Sequence, residues 1–365
     1  MSRTRSNDIT LSRQWASRPD DERFVSLESL EEHLAARTQR CIEEPIDCKD
    51  IQVRALPDNQ LGIETREGLS NFTNWSFGQL CATAGVPGAY LSKIPSELAG
   101  INLQYGLMNQ AVREKTKLYI DKNGENTLRG ATGPDYGRFL DLEIVQQIRR
   151  MNHDGRFQIP AASYATNNPK RATTLYAGDR DMFLFLVDPK NSITVDNETI
   201  FRGFYVQHSE VGKSVYDFCT FTYNYICDNR IVWGMGDVKS LRIKHSKNAP
   251  IRFGNEAEKA LMQFADSSMI GLDRQVKAAK ALNVARNDAG VTDWLKDRGF
   301  SGVVSGKILD SIKTEGYDAG SLWGMVQGVT AYARSIPHAD VRTEVEKTAG
   351  KLLDRYAPVP VDVAA

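Results

Sequence analysis

The sequence predicts an α+β protein: a central, largely antiparallel sheet with N-terminal helices before it and a C-terminal all-helical region after it. Three observations lead there. Strand-forming segments rich in aromatic and β-branched residues crowd between residues 172 and 244. Polar turns such as Asp188-Pro-Lys-Asn191 and Asp196-Asn197 separate three of them, as hairpins require. Past Pro250 the strand pattern stops and apolar residues recur at helical spacing. The expected units are a flexible tail over residues 1–22, a mixed domain over 23–254 that carries the sheet, and a helical region over 255–365 packed on it.

In chain order, Ser26 to Arg40 reads as a helix, with Leu27, Leu30 and Leu34 on one face, acids early and arginines late. Ile51–Ala55 and Leu61–Thr65 alternate around Pro57-Asp58-Asn59 as a hairpin. Asn74 is placed to cap a helix that stops near Gly85, and Pro87 opens a short segment before a helix from Ser96 with Leu98, Ile101, Tyr105 and Met108 on one stripe. The first hundred residues therefore read as small helices around one hairpin. Lys117–Ile120 and Asn126–Ala131 make a second hairpin, and Asp141–Met151 a helix with Ile144, Val145 and Ile148 inward. Strands follow at 172–176, 182–187, 193–195, 201–208, 215–223, 226–233 and 238–244. One long helix is expected over 256–285, then helices over 291–298, 306–314, 319–335 and 341–356.

Basic and acidic residues balance at 46 each, so polyanion binding has to come from local clustering. No apolar run approaches the roughly 20 residues of a membrane helix, and the basic N-terminus has no hydrophobic signal core. Asp8 and the acids Asp20, Asp21 and Glu22 argue against a transit peptide. Five cysteines (Cys41, Cys48, Cys81, Cys219, Cys227) without a CxxC pair point to reduced thiols and a cytosol.

The densest stretch is 201–252. Nine of residues 201–235 are aromatic, and the segment 238–252 carries Lys239, Arg242, Lys244, Lys247 and Arg252 with no acid. Single-stranded nucleic acid needs cations that track phosphates and rings that stack on bases. Lys170 and Arg171 add charge nearby, alternation puts Arg242 and Lys244 on the face opposite Leu241, Ile243 and His245, and Tyr205, Tyr216, Tyr223, Tyr225 and Trp233 supply rings. The competing reading makes those rings sheet core and the basic run a solvated edge. Gly212-Lys213-Ser214 is not a phosphate loop, because Gln207 stands where the first glycine belongs and no helix follows. His208, Cys219, Cys227 and His245 are spaced too widely for a zinc site, and no G-x-S-x-G elbow occurs. No cofactor, metal or catalytic residue is expected.

Several segments in order, FGQLCATAGVPGAYLSKIP (77–95), RGATGPDYGRFLDLEIV (129–145), GFYVQHSEVGKSVYDFCTFTYNYICDNRIVW (203–233), LRIKHSKN (241–248) and LWGMVQGVTAYARSIPHADVRTEVEKTAGKLL (322–353), resemble the phage/plasmid-like protein family, a domain of unknown function in phage, prophage and plasmid genomes. The resemblance implies a mobile-element context and a bacterial cytoplasm but no settled activity. The leading expectation is a DNA-binding protein for single strands, acting in annealing, recombination or replication through Lys239, Arg242, Lys244, His245, Lys247, Arg252, Lys170 and Arg171. Alternatives are a non-catalytic assembly or anti-defence factor whose basic run pairs with acids such as Glu344, Glu346 or Asp354, and a hydrolase or nuclease built on Asp135, Tyr136 and Arg138. A membrane partner is not expected; a homo-oligomer stays open.

Overall fold

The computed structural model describes residues 19–159, 173–196, 198–224, 229–231, 240–267, 271–336 and 339–358, without the side chains of 223–224, 229–231 and 339–343. The fold is α+β as expected, but strands form two sheets rather than one. The first sheet comprises β1 (Arg23–Phe24), β8 (Leu175–Ala177), β9 (Met182–Val195), β10 (Glu198–His208), β11 (Tyr216–Asn224) and β12 (Asn229–Ile231) in that order, with β13 (Ser240–Ile243) also paired to β11. All its pairings are antiparallel. The second holds β2 (Cys41–Asp47), β6 (Lys115–Asn123), β7 (Glu125–Thr132), β5 (Gly68–Phe72), β4 (Gln60–Thr65) and β3 (Gln52–Leu56), antiparallel except for β5 beside β7.

This second sheet corrects the expectation of small helices around one hairpin. The β3–β4 and β6–β7 hairpins are where the turns placed them, but β2 and β5 join them. The acidic, proline-bearing CIEEPID looks like a poor strand; Pro45 is accommodated because β2 lies at a sheet edge. The turn expected at 188–191 is instead a bulge within β9. The β10 register jumps there, Phe201 facing Ser192 and Arg202 facing Asp188.

Helices α1 (Leu27–Arg40), α2 (Asn74–Ala84), α3 (Gly88–Leu91), α4 (Ser96–Asn109) and α5 (Asp141–Met151) precede the first sheet's main strands. Ser26 caps α1, and Thr73, one residue before the expected Asn74, caps α2. The C-terminal region holds α6 (Ala249–Asp266), α7 (Leu272–Ala281), α8 (Asp288–Lys296), α9 (Gly302–Thr314), α10 (Leu322–Arg334) and α11 (Ala339–Tyr356). The single helix expected over 256–285 is two, because Ser267 turns extended and Gly271 takes φ 86°, outside the helical basin. The expected boundary at 254/255 falls inside α6.

The largest core joins one face of the first sheet, through Leu184, Leu186, Phe204, Val206 and Phe218, to α1, α5 and the C-terminal helices. Its other face buries Phe183, Phe185, Tyr205, Cys219 and Phe221, so the central strands read as continuous hydrophobic runs. Leu322, Met325, Val326 and Val329 are buried on α10 as expected, beside Trp323. A separate core lies between the second sheet and α2 and α4.

Candidate functional site

The chemistry-bearing residues collect where the two sheets meet, around the turn 209–213 that follows β10. Its centre is Glu210, which sequence reasoning passed over in favour of the neighbouring Gly-Lys-Ser triplet. The buried Glu210 carboxylate accepts hydrogen bonds from Arg129 at 2.8 Å, Arg37 at 3.2 Å and the Asp141 backbone N–H at 3.1 Å. Arg37 also reaches Asp141 at 2.7 Å. Two guanidinium groups and two carboxylates thus form a neutral buried cluster. Burial alone would push the Glu210 carboxyl up, but Arg37 and Arg129 outweigh it and hold it well below the usual carboxylate range. Arg129 sits on β7 of one sheet and Glu210 follows β10 of the other, so the cluster fastens the sheets together.

Local structure aims each group. Arg37 continues the buried stripe Leu30–Leu34 of α1, and Asp141 starts the stripe Ile144/Val145–Ile148 of α5. Asp141 also lies in the first turn of α5, where the helix dipole favours an anion. A charge standing on an apolar helix stripe was a signal available in the sequence: such a residue has to find a buried partner. The turn is held from α2 as well, its Val211 carbonyl accepting from Trp75 Nε1 at 2.9 Å and Gln79 Nε2 at 2.7 Å. Ser209 Oγ accepts from the Val211 and Lys213 backbone N–H groups. Gly212 has φ 81°, so the Gly-Lys-Ser triplet is the expected turn.

Behind this cluster lies a histidine pair. His208 Nδ1–H donates to Asp141 at 2.5 Å, and His245 Nδ1–H donates to the Gly137 carbonyl at 3.1 Å. Both Nε2 atoms are buried without a hydrogen-bond partner among the described residues. The rings lie 5.0 Å apart. His245 belongs to a column in which Tyr136, His245, Phe139 and Phe253 stack with centroids 4.5–4.9 Å apart. Burial, then the neighbouring His208, pulls His245 down to about 4. Asp141 and His208 resemble the acid–base half of a nucleophilic triad, yet among the described residues no hydroxyl or thiol is bonded to His208 Nε2.

In front of the cluster opens a cavity of about 540 Å³. Tyr119, Tyr136, Lys117, Arg138, Glu43 and Lys247 supply its principal walls, with Asp135, Cys41 and Glu143 also lining it. Arg138 stands with its guanidinium carbon 4.0 Å from the Tyr119 ring centre, donates to Glu43 at 2.9 Å, and donates to the Glu210 carbonyl behind. Lys117 bonds Glu43 at 3.3 Å and the Tyr136 carbonyl at 3.1 Å. Burial pushes both tyrosine hydroxyls up, so they stay protonated at neutral pH. The three residues raised for a hydrolase, Asp135, Tyr136 and Arg138, therefore do line one cavity. Two of its three carboxylates are already engaged, Glu43 by Lys117 and Arg138, and Glu143 by the Leu140 N–H it caps at 2.8 Å.

Of the residues expected to bind nucleic acid, Lys239, Lys170 and Arg171 lie outside the described residues. On β13 Arg242 is exposed and Ile243 buried, and Lys244 just beyond the strand is exposed, as the alternation required. Arg242 is 4.0 Å from both Asp217 and Glu344, and Arg252 pairs with Glu256 at 2.8 Å. Lys244 and Lys247 make no ion pair among the described residues, and Lys247 stands at the cavity wall. His245 points the opposite way, into the aromatic column. Tyr205 and Tyr216 are fully buried, which corrects their candidacy as stacking platforms: hairpin pairing turns both into the core. Tyr225 and Trp233, and the side chain of Tyr223, lie outside the described residues. Cys219 is on the sheet face opposite His208, and no cluster of three or more metal-ligating side chains occurs among the described residues.

Compared with family models, curated proteins and solved structures, the chain has no match. No described helix is long and apolar enough to cross a membrane.

Proposed function

We propose that this protein binds single-stranded nucleic acid, with one nucleotide unit entering the cavity against Tyr136 and the Arg138 guanidinium, which covers the Tyr119 ring, while the adjoining phosphates run past Lys247 and Lys244. The carrying observation is that Lys247, which like Lys244 makes no ion pair among the described residues, stands at the wall of a cavity of nucleotide size, about 540 Å³, that Tyr136 and Arg138 also line. The cavity lining balances three cations against three acids, so its walls are not a general anion trap; Lys247 and Lys244 supply the attraction. The segments quoted above, which resemble the phage/plasmid-like family, fit a mobile-element role in strand annealing, recombination or replication. A second reading, a non-catalytic assembly factor, is favoured by the pairing of Arg242 with Glu344 and of Arg252 with Glu256, which neutralises half of the described basic run.

Fluorescence anisotropy with labelled single- and double-stranded oligonucleotides at two salt concentrations separates the readings. Single strands should bind more tightly, with affinity falling as salt rises. Lys244→Glu combined with Lys247→Glu should weaken binding at least tenfold and lower the log–log salt slope by about 1.4, or 0.7 for each lost contact. Unchanged thermal stability would show that the fold is intact. Absence of binding at low salt, or an affinity indifferent to salt, would refute the proposal and leave the assembly reading.

A further inference from the structure

The stripe Leu98, Ile101, Tyr105, Met108 forms on α4 as the spacing predicts, and it faces solvent. Its members, with Val112 just beyond the helix, are between 53% and 69% exposed. The buried face of α4 is Ala99, Gly100, Leu103, Gly106 and Leu107. Small residues make this possible. A Cβ on Gly106 would lie 2.6 Å from the Ala84 carbonyl oxygen, so only glycine lets α4 settle against α2. Gln104 fixes the rotation: its side chain accepts from the Val53 N–H at 2.7 Å and donates to the Ile51 carbonyl at 3.0 Å, pinning α4 to the edge strand β3. The helix cannot roll to bury its large residues, so it is apolar on both sides.

The exposed helical positions 98, 101, 105 and 108 are spaced 3, 4 and 3 residues apart, the interval of a coiled-coil seam. We propose that this seam pairs with the same seam of a second copy, antiparallel, about a two-fold axis at Tyr105. Two observations favour a second copy over an unrelated partner. The stripe is self-complementary: with Tyr105 on the axis, Ile101 meets Met108 of the second copy, large against large, with Leu98 and Val112 flanking the seam. The area also fits. Five such side chains hold roughly 500 Å² of apolar surface, the size of the largest patch on a typical monomer, which is often functional. The polar rim of Asn102, Asn109 and Gln110 brings the face toward the roughly 800 Å² per partner of a standard interface.

Sedimentation equilibrium of the full chain across the micromolar range tests this. The wild type should be a reversible dimer, and Ile101→Glu or Tyr105→Glu should raise the dissociation constant at least thirtyfold, the effect of losing a hot-spot residue. Far-UV circular dichroism should be unchanged. As an independent readout, Tyr105→Cys should crosslink to itself under diamide, whereas Lys307→Cys, exposed elsewhere on the surface, should not. A wild type that stays monomeric overturns the proposal, including one that instead floats with anionic lipid vesicles. So does a dimer that survives both glutamate substitutions, or a Tyr105→Cys variant that fails to crosslink within a demonstrated dimer.

Discussion

Replacing Glu210 with glutamine keeps its volume and removes its charge. In the wild type, two arginines face two carboxylates, and all four side chains are at most 6% exposed. Glu210→Gln leaves that enclosure one positive charge in excess. The loss falls on Arg129, whose remaining hydrogen-bond acceptors are the Asp179 carbonyl at 3.0 Å and the Cys41 sulfur at 3.7 Å, both uncharged as bonded here. Breaking one side of a buried pair costs about 3–5 kcal/mol. At about 2.1 cal/mol/K of unfolding entropy per residue, a chain of 365 residues should lose about 4–6 °C in Tm. Differential scanning calorimetry and urea titration read the loss. The sign with pH is also fixed. The folded carboxyl lies below its unfolded value, so its stabilisation is complete above about pH 4.5 and fades as pH falls toward the folded value; the gap between wild type and variant should therefore narrow below pH 4.5. Adding Arg129→Met should recover at least 2 kcal/mol, because it removes the stranded charge. A single variant within 1 kcal/mol of wild type, or strictly additive double-mutant energies, would refute the description of a mutually neutralised cluster.

Three further outcomes are expected. His245 titrates near 4 when folded against 6.5 in its ordinary state, so as pH falls the unfolded chain takes up the proton first. Its contribution is complete above pH 6.5 and drops by up to roughly 3 kcal/mol by pH 4; His245→Phe, which preserves the ring column, should flatten the unfolding profile in that window, and superimposable profiles would contradict this. Gly137→Ala would drive a Cβ into the Ser246 carbonyl and to 2.9 Å from Pro250, costing about 1–3 kcal/mol and weakening oligonucleotide binding by shifting Lys247; Gly306→Ala, with nothing within 4 Å, is the control that should stay near wild type. Asp188 accepts from Arg202 at 3.0 Å and Arg156 at 2.7 Å, and Arg202 is fully buried, so Asp188→Ala should cost about 3–5 kcal/mol in urea unfolding. Arg156→Ala, which removes the half-buried partner, should cost clearly less.

Much of the fold is legible because periodicity reports burial. The hairpins, the β13 alternation and α10 follow from apolar spacing and turn chemistry. It misleads where close backbone approach replaces side-chain bulk: Gly100 and Gly106 pull the small face of α4 inward, leaving Leu98 and Ile101 outside. It also fails for β2, whose acids and proline suit an edge but resemble a loop, and at 188–191, where a turn signature sits inside a bulged strand. The cavity was half visible. Asp135, Tyr136, Arg138 and Lys247 were singled out, but Glu43, Lys117 and Tyr119 come from another sheet and nothing local announces them. Arg37 and Asp141 did announce themselves by standing on apolar helix stripes. Glu210 gives no such sign, because a glutamate in a turn is ordinary until its partners arrive from elsewhere in the chain.

That wide spacing has a consequence during synthesis. Arg37 and Glu210 are 173 residues apart, and Arg129 and Glu210 are 81 apart. At roughly 5–20 residues per second, a ribosome takes about 9–35 s to deliver Glu210 after Arg37. Within that interval Asp141, 104 residues after Arg37, can neutralise the cation on α1, but Arg129 on β7 has no carboxylate until Glu210 arrives. The second sheet and its helices can form early from contacts nearer in sequence, but their closure against the first sheet waits for the turn at 209–213. Arg138, held from behind by the Glu210 carbonyl, reaches its place only then, and the cavity is complete only once Lys247 and Pro250 have also been made.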